Sequence, residues 1–150
     1  MCGSTPSTVP DVAEDEASAG KEYVHVAVGL VVNAGGQVLV TRRPAHVHQG
    51  GLWEFPGGKL EPGEEVQAGL TRELREELGI QVMAARPFLR VHHDYPDKSV
   101  LLDVWRVEDY SGHPRGLEEQ PLAWLAPEAL ARLAFPAADK PIIQALQQEL

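Results

Sequence analysis

Glu73, Glu76 and Glu77 sit close together in the stretch GGKLEPGEEVQAGLTRELREELGI (57–80). On a helix their spacings put all three on one side. Like charges three and four residues apart cost a helix about 0.2–0.5 kcal/mol per pair. A hard divalent cation turns that repulsion into attraction, because such ions take oxygen ligands. Mg²⁺ typically binds one or two carboxylates together with substrate phosphates and waters. The plainer alternative is a solvated acidic helix face.

The flanking residues supply what such a site needs. Pro62 and Gly63 make a turn into a helix expected from about Glu64 to Leu78, with Leu70, Leu74 and Leu78 as its apolar stripe and Gly79 as its C-terminal cap. Burying the leucines leaves the carboxylates at the edge of the core, facing a cleft. Gly57 and Gly58 let the backbone approach closely, so that a main-chain carbonyl can join the metal ligands. Arg72 can pair with neighbouring glutamates, Glu64 among them. Gly69, on the glutamate side, either leaves room for metal and phosphate or is a tolerated helix glycine.

Around this segment the order of elements reads as one domain. Residues 1–20, rich in Ser, Thr, Pro, Ala and acids, read as a disordered tail, and 21–150 as a single domain. VHVAVGLVV (24–32) and QVLVT (37–41) read as strands joined by the turn NAGG, and 42–58 as an irregular stretch. PFLRVHH (87–93), SVLLDVWRV (99–107) and residues near 121–125 read as further strands. PEALARLA (127–134) and PIIQALQQEL (141–150) read as helices.

Bulk properties narrow the function. With 13 basic against 22 acidic side chains, net charge −9, the chain lacks the basic footprint of a surface for nucleic-acid polymers, so a cation should mediate any phosphate contact. Cys2 is the only cysteine, which excludes an intramolecular disulfide and a thiolate cluster. No apolar run is long enough to cross a membrane, and the start lacks the pattern of a secretory signal. A cytoplasmic, monomeric protein is expected.

Gly58, Glu64, Arg72, Glu73, Leu74, Glu76, Glu77, Gly79 and Ile80 fall at the spacing G-x5-E-x7-R-E-U-x-E-E-x-G-U, U being a bulky apolar residue. This matches the Nudix box at every specified position, and the chain resembles the Nudix hydrolases. The resemblance implies an α+β fold, a mixed β-sheet sandwiched between α-helices. It also implies hydrolysis of a diphosphate bond in a nucleoside diphosphate derivative. Metal ligands would be Gly57, Glu73, Glu76, Glu77 and Glu118, holding Mg²⁺ with Mn²⁺ as a substitute. The catalytic set would be Glu73, Glu76, Glu77, Glu118 and Arg72.

TRRPAHVHQGGLWEFPGGKLE, HHDYPDK, VEDYSGHPRGLEEQPLAW and FPAADKPIIQAL are similar to stretches of MutT-type 8-oxo-dGTP diphosphatases, over about residues 24–148. By that resemblance Arg43, His48, Glu54, Phe55, Pro56, Gly57 and Asp139 contact the nucleoside triphosphate. Glu118 supplies a further acid from a distant loop, with its neighbour Glu119 competing for the assignment. Phosphate contact is the favoured reading of Arg43 over a surface arginine, whereas His48 could equally be an ordinary loop histidine and Phe55 core. His92 and His93 carry no assigned role.

One position departs from the pattern. Asp139 stands where the family phrase FP-x-A-N ends in Asn, which donates to O6 of 8-oxoguanine and accepts from its N7–H. An ionised Asp only accepts, and burial would promote its protonated form. Asp also suits the exocyclic amino group of cytosine, or could serve only as a helix N-cap. A pyrophosphohydrolase of CTP or modified pyrimidine nucleotides is therefore the alternative. A Nudix domain that binds nucleotides without cutting them is a third reading, disfavoured by the complete set of box glutamates.

Overall fold

Strand β2 (Val24–Val31) divides its side chains between two cores. Val28 and Leu30 join Leu89, Val91, Val100 and Val104 on one side; Ala27 and Val31 meet Leu70, Leu74 and Leu78 on the other. A strand buried on both faces reads as a continuous apolar run, and this one does. The structure, a computed structural model, describes residues 11–13 (backbone only), 23–47 and 50–149.

The remaining elements follow in chain order. They are β3 (Val38–Arg42), β4 (Trp53–Glu54), β5 (Gly57–Lys59), α1 (Val66–Leu78), β6 (Gln81–Asp94), β7 (Ser99–Ser111), β8 (Leu122–Leu125) and α2 (Lys140–Gln148). A short strand at the start, β1 (Asp11–Ala13), precedes β2. A mixed sheet runs β1-β6-β7-β2-β5, and a smaller antiparallel sheet runs β4-β3-β8. Helix α1 covers one face of the large sheet, and α2 with two 3-10 helices (Pro127–Arg132 and Ala137–Asp139) covers the other. This is the expected α+β sandwich.

The leucine stripe explains why α1 forms despite its charge. Leu70, Leu74 and Leu78 are at most 1% exposed, and each fully buried leucine contributes roughly 1.5–3 kcal/mol. That outweighs repulsion of about 0.2–0.5 kcal/mol per like-charge pair. Gly29 of β2 lets the helix close in: a Cβ there would lie 3.0 Å from Leu74 Cδ1 and 3.1 Å from Leu70 Cδ1.

Several elements differ from their sequence-based bounds. Helix α1 starts at Val66, because Glu64 closes the preceding turn instead: its N–H donates to Glu61 O (3.0 Å) and its Oε1 accepts from Glu61 N–H (2.9 Å). Strand β6 begins at Gln81, six residues before the expected start, since β7 runs on to Ser111 and offers it a partner. Residues 127–132 form a 3-10 helix with only Leu130 buried, too little apolar stripe to hold an α-helix. The irregular stretch 42–58 contains β4 and the start of β5. Most of the expected tail lies outside the described residues, but Asp11–Ala13 runs parallel to Arg90–His92 of β6. Backbone pairing at a sheet edge needs no apolar side chains.

Candidate active site

The site begins with two closely packed glycines, of which Gly57 is the more constrained. Gly57 has φ +150°, and a Cβ on it would stand 2.0 Å from Ala27 O. A Cβ on Gly58 would stand 2.3 Å from the carboxyl carbon of Glu73. Strand β5 is thus wedged between β2 and the acidic face of α1. Gly57→Ala is expected to cost about 2–4 kcal/mol through strain and overpacking. Urea unfolding measures it, and a loss under about 1 kcal/mol would show that β5 relaxes freely.

Arg72 organises the glutamates. Its Nε–H and Nη2–H groups donate to Glu64 at 2.8 and 2.9 Å, and Nη1–H donates to Glu73 (3.0 Å) and Glu76 (3.2 Å). Nη2–H also reaches Lys59 O at 3.1 Å, fastening β5 to the helix. Hydrogen bonding to Arg72 lowers the Glu64 carboxyl to about 2 from its ordinary 4.5. The stability this adds is present above pH 4.5 and is lost as pH falls towards 2.

A cleft of about 590 Å³ opens beside this network. Its floor is Val26, Val28, Val100 and Leu102 of the large sheet; Thr41, Arg42, Arg43 and Glu54 of the small sheet and its adjoining segments form another wall. Gly57 and Gly58 lie beside the acids Glu77 and Glu118, and Tyr95, Lys98, Gln120, Ala138 and Asp139 are also in the lining. Gly57 N–H donates to Glu77 Oε1 at 3.3 Å. Burial, then repulsion from Glu54, Glu118 and Glu73, lifts the Glu77 carboxyl to about 8. Burial also raises Glu54, against the pull of Arg43 Nη1 at 3.1 Å, and raises Glu73 against that of Arg72. Asp139, 7% exposed, is lifted to about 8 by burial first and Glu54 second.

The sequence-derived residues are not all in the cleft wall. Gly57, Glu77, Glu118, Arg43, Glu54, Phe55 and Asp139 line it. Phe55 is also core, 5% exposed and stacked on Phe135 with ring centroids 5.5 Å apart. Glu73 lies behind Gly58, and Glu76, with 53% of its side chain exposed, points outward to Arg72. Pro56 is buried beneath the lining, its carbonyl accepting from Gly29 N–H at 2.9 Å. His48 lies outside the described residues. Asp139 forms no side-chain cap bond to α2, and it lines the cleft. Gly69 does not line the cleft; a Cβ there would meet Leu60 Cδ2 at 2.2 Å, so close packing accounts for it.

The donor set suits a divalent cation. Glu77 is a carboxylate that burial and like charges hold protonated, so a positive ion beside it would restore its charge. Gly58 has no side chain to fill the space beside Glu73. Among the described residues no three acidic or imidazole groups already share reach of one ion. The reason is electrostatic: Arg72 draws Glu73 and Glu76 towards itself, while Glu77 turns to Gly57. A cation held by Glu73 and Glu76 would therefore have to compete with Arg72 for them.

Residues that sequence reasoning missed are Thr41, Lys98, Tyr95 and Gln120. Tyr95 Oη accepts from Ala138 N–H at 3.0 Å, next to Asp139. The only sequence signal for these was membership in the quoted stretches, not any local pattern.

Comparison with known proteins agrees with this geometry. A family model described as the NUDIX domain matches residues 27–145. The chain is 37% identical over 125 residues to an 8-oxo-dGTP diphosphatase of Escherichia coli (strain K12), covering 83% of this chain and 97% of that one. It is 36% identical over 118 residues to a CTP pyrophosphohydrolase of the same organism, covering 79% and 87%. A solved MutT structure, from a study of the Aliivibrio salmonicida and Vibrio cholerae proteins, superposes with a TM-score of 0.75 at 34% identity, covering 86% of this chain and 100% of that one. With its box, its cleft and these likenesses, the chain belongs to the NUDIX domain family.

Proposed function

We propose that the chain is a MutT-type pyrophosphohydrolase that cuts 8-oxo-dGTP to 8-oxo-dGMP and pyrophosphate, using Mg²⁺, with Mn²⁺ as a substitute. The observation that carries this reading is one cleft holding Glu77 and Glu118 together with a buried Asp139 suited to reading a base. We read the chain as a monomer working on the cytoplasmic nucleotide pool. Removing oxidised dGTP there prevents its incorporation opposite adenine.

Glu73, Glu76, Glu77, Glu118 and the Gly57 carbonyl are the groups that would hold the cation. When bound, it supplies charge that polarises the phosphoryl oxygens and acidifies the attacking water. The chain's own acids do the rest: Glu77 or Glu118, both in the cleft wall, takes the proton from the water that attacks the β-phosphorus. Arg43 is placed to pair with a phosphate oxygen, at the expense of its bond to Glu54. Arg42, Lys59 and Lys98 add further positive charges to the lining.

Asp139 decides the base. Lifted to about 8, its carboxyl is protonated at pH 7. The O–H then donates to O6 of 8-oxoguanine, and the carbonyl accepts from N7–H, which guanine lacks. The same donor–acceptor pair fits N3 and the amino group of cytosine, so CTP is the second reading, supported by the likeness to the CTP pyrophosphohydrolase. The test is kcat/KM with Mg²⁺ for 8-oxo-dGTP, dGTP and CTP in a pyrophosphate-release assay. The expected result is 8-oxo-dGTP first, by at least about 10²-fold over dGTP. CTP ahead of 8-oxo-dGTP would move the chain to the pyrimidine reading, and no release from any of the three would sink both.

A further inference from the structure

We propose that Gln120 is a positioning residue: its side-chain amide ties Glu118 to the C-terminal turn of α1, so that Glu118 and Glu77 face the cleft as a unit. Its Nε2–H donates to Glu77 O at 3.2 Å, and its Oε1 accepts from Glu118 N–H at 2.9 Å. One side chain thus spans from the backbone of one cleft acid to the backbone of the other. The final carbonyls of a helix have no partner within it. Here the loop supplies them: Leu117 N–H also donates to Glu77 O (3.0 Å), and Arg115 N–H donates to Leu78 O (2.9 Å).

The loop is shaped to bring Gln120 back over itself. Glu119 sits at φ +65°, an unfavourable conformation for a side chain with a Cβ. A Cβ on Gly116 would lie 2.2 Å from Gln120 O, so only glycine allows the closure. Glu119 N–H donates to Gly116 O at 2.9 Å and locks the turn. This geometry also separates the two adjacent acids, since Glu118 lines the cleft and Glu119 does not.

The inference rests on the metal-dependent reading above, so its test includes binding as well as turnover. Mn²⁺ is titrated calorimetrically into the full chain, as wild type, Gln120→Met, Glu118→Ala and the double variant. Partners that orient a metal ligand are typically worth 10–100-fold in affinity. Gln120→Met is expected to weaken Mn²⁺ binding by roughly tenfold or more, and to change it less than about twofold when Glu118 is already alanine. An equal loss in both backgrounds would mean that Gln120 only caps the helix, which overturns the proposal. So would wild-type affinity in Gln120→Met. If Glu118→Ala alone leaves Mn²⁺ binding intact, the proposal also fails, while hydrolysis of 8-oxo-dGTP by the wild type decides separately whether the proposed function stands. Should Gln120→Met not fold, Gln120→Asn carries the same groups on a stem too short to reach both partners, and the same two comparisons apply.

Discussion

Glu77→Gln should abolish hydrolysis while making the metal-free protein more stable at alkaline pH. Activity is expected to fall at least about 10³-fold in kcat, equivalent to about 4 kcal/mol of transition-state stabilisation. The amide retains an oxygen to accept from Gly57 N–H, a bond of 3.3 Å in the wild type, so the local fold should survive. Stability moves the other way. Burial, then repulsion from Glu54, Glu118 and Glu73, raises the folded carboxyl from 4.5 to about 8. Between those values the folded protein keeps a proton that the unfolded chain has released, so folding loses stability as pH rises through that window. The penalty is complete above about pH 8 and absent below 4.5. Glutamine never pays it, and a gain of about 1–3 kcal/mol is expected at pH 9, with little difference at pH 4. Urea unfolding in a chelator at both pH values, beside the pyrophosphate assay, measures both effects. Persisting hydrolysis would remove Glu77 from the machinery; an equal gain at both pH values would show that ionisation is not its cause.

The helix behind this prediction was legible because its information is local. Leu70, Leu74 and Leu78 repeat every four residues, and the box glutamates share their period, so one stretch specifies both the buried and the acidic side. Strand β6 shows the opposite case. Its first half, QVMAAR, has no alternation: Met83 is 60% exposed, and the register with β7 shifts between Val82 and Ala84, between Ala84 and Ala85 and again between Pro87 and Leu89. Each bulge resets which side chain faces inward, so no period survives in the sequence. The 3-10 helix after Pro127 failed for a simpler reason, as its six residues bury a single leucine.

Within the site, what the sequence could not supply were partners far along the chain. Gln120 meets Glu77 across 43 positions, and Tyr95 meets Ala138 across 43. Neither residue type marks a motif, because their value comes from where the sheets place them. Arg72 was read as a partner of Glu64, eight residues away on the same segment, and that pair forms at 2.8 Å. Its bonds to Glu73 and Glu76 as well mean that the three glutamates do not stand as a ready-made trio, and a cation bound there would have to displace an arginine.

Asp139 yields the second large effect. Asp139→Ala removes the carboxyl proposed to read the base edge, and is expected to lower kcat/KM for 8-oxo-dGTP by about 10²–10³-fold, mostly through KM. Asp139→Asn separates charge from hydrogen bonding. Asparagine always presents one donor group and one acceptor, whereas aspartate does so only while protonated, below about pH 8. Two groups modulate that proton: Glu54 repels the ionised form, and Arg43 favours it. Tyr95 and Lys98 share the cleft lining with them. At pH 7 the Asn variant should match the wild type within about threefold on 8-oxo-dGTP. Above pH 8 the wild type should decline relative to Asn, as its ionised carboxylate comes to face O6. The ratio of the two enzymes isolates this ionisation from that of Glu77, which both carry. A flat ratio from pH 6 to 9 would mean that Asp139 does not change charge in contact with the base. A wild type that gains on CTP as it loses on 8-oxo-dGTP would identify the ionised carboxylate as the form that selects cytosine.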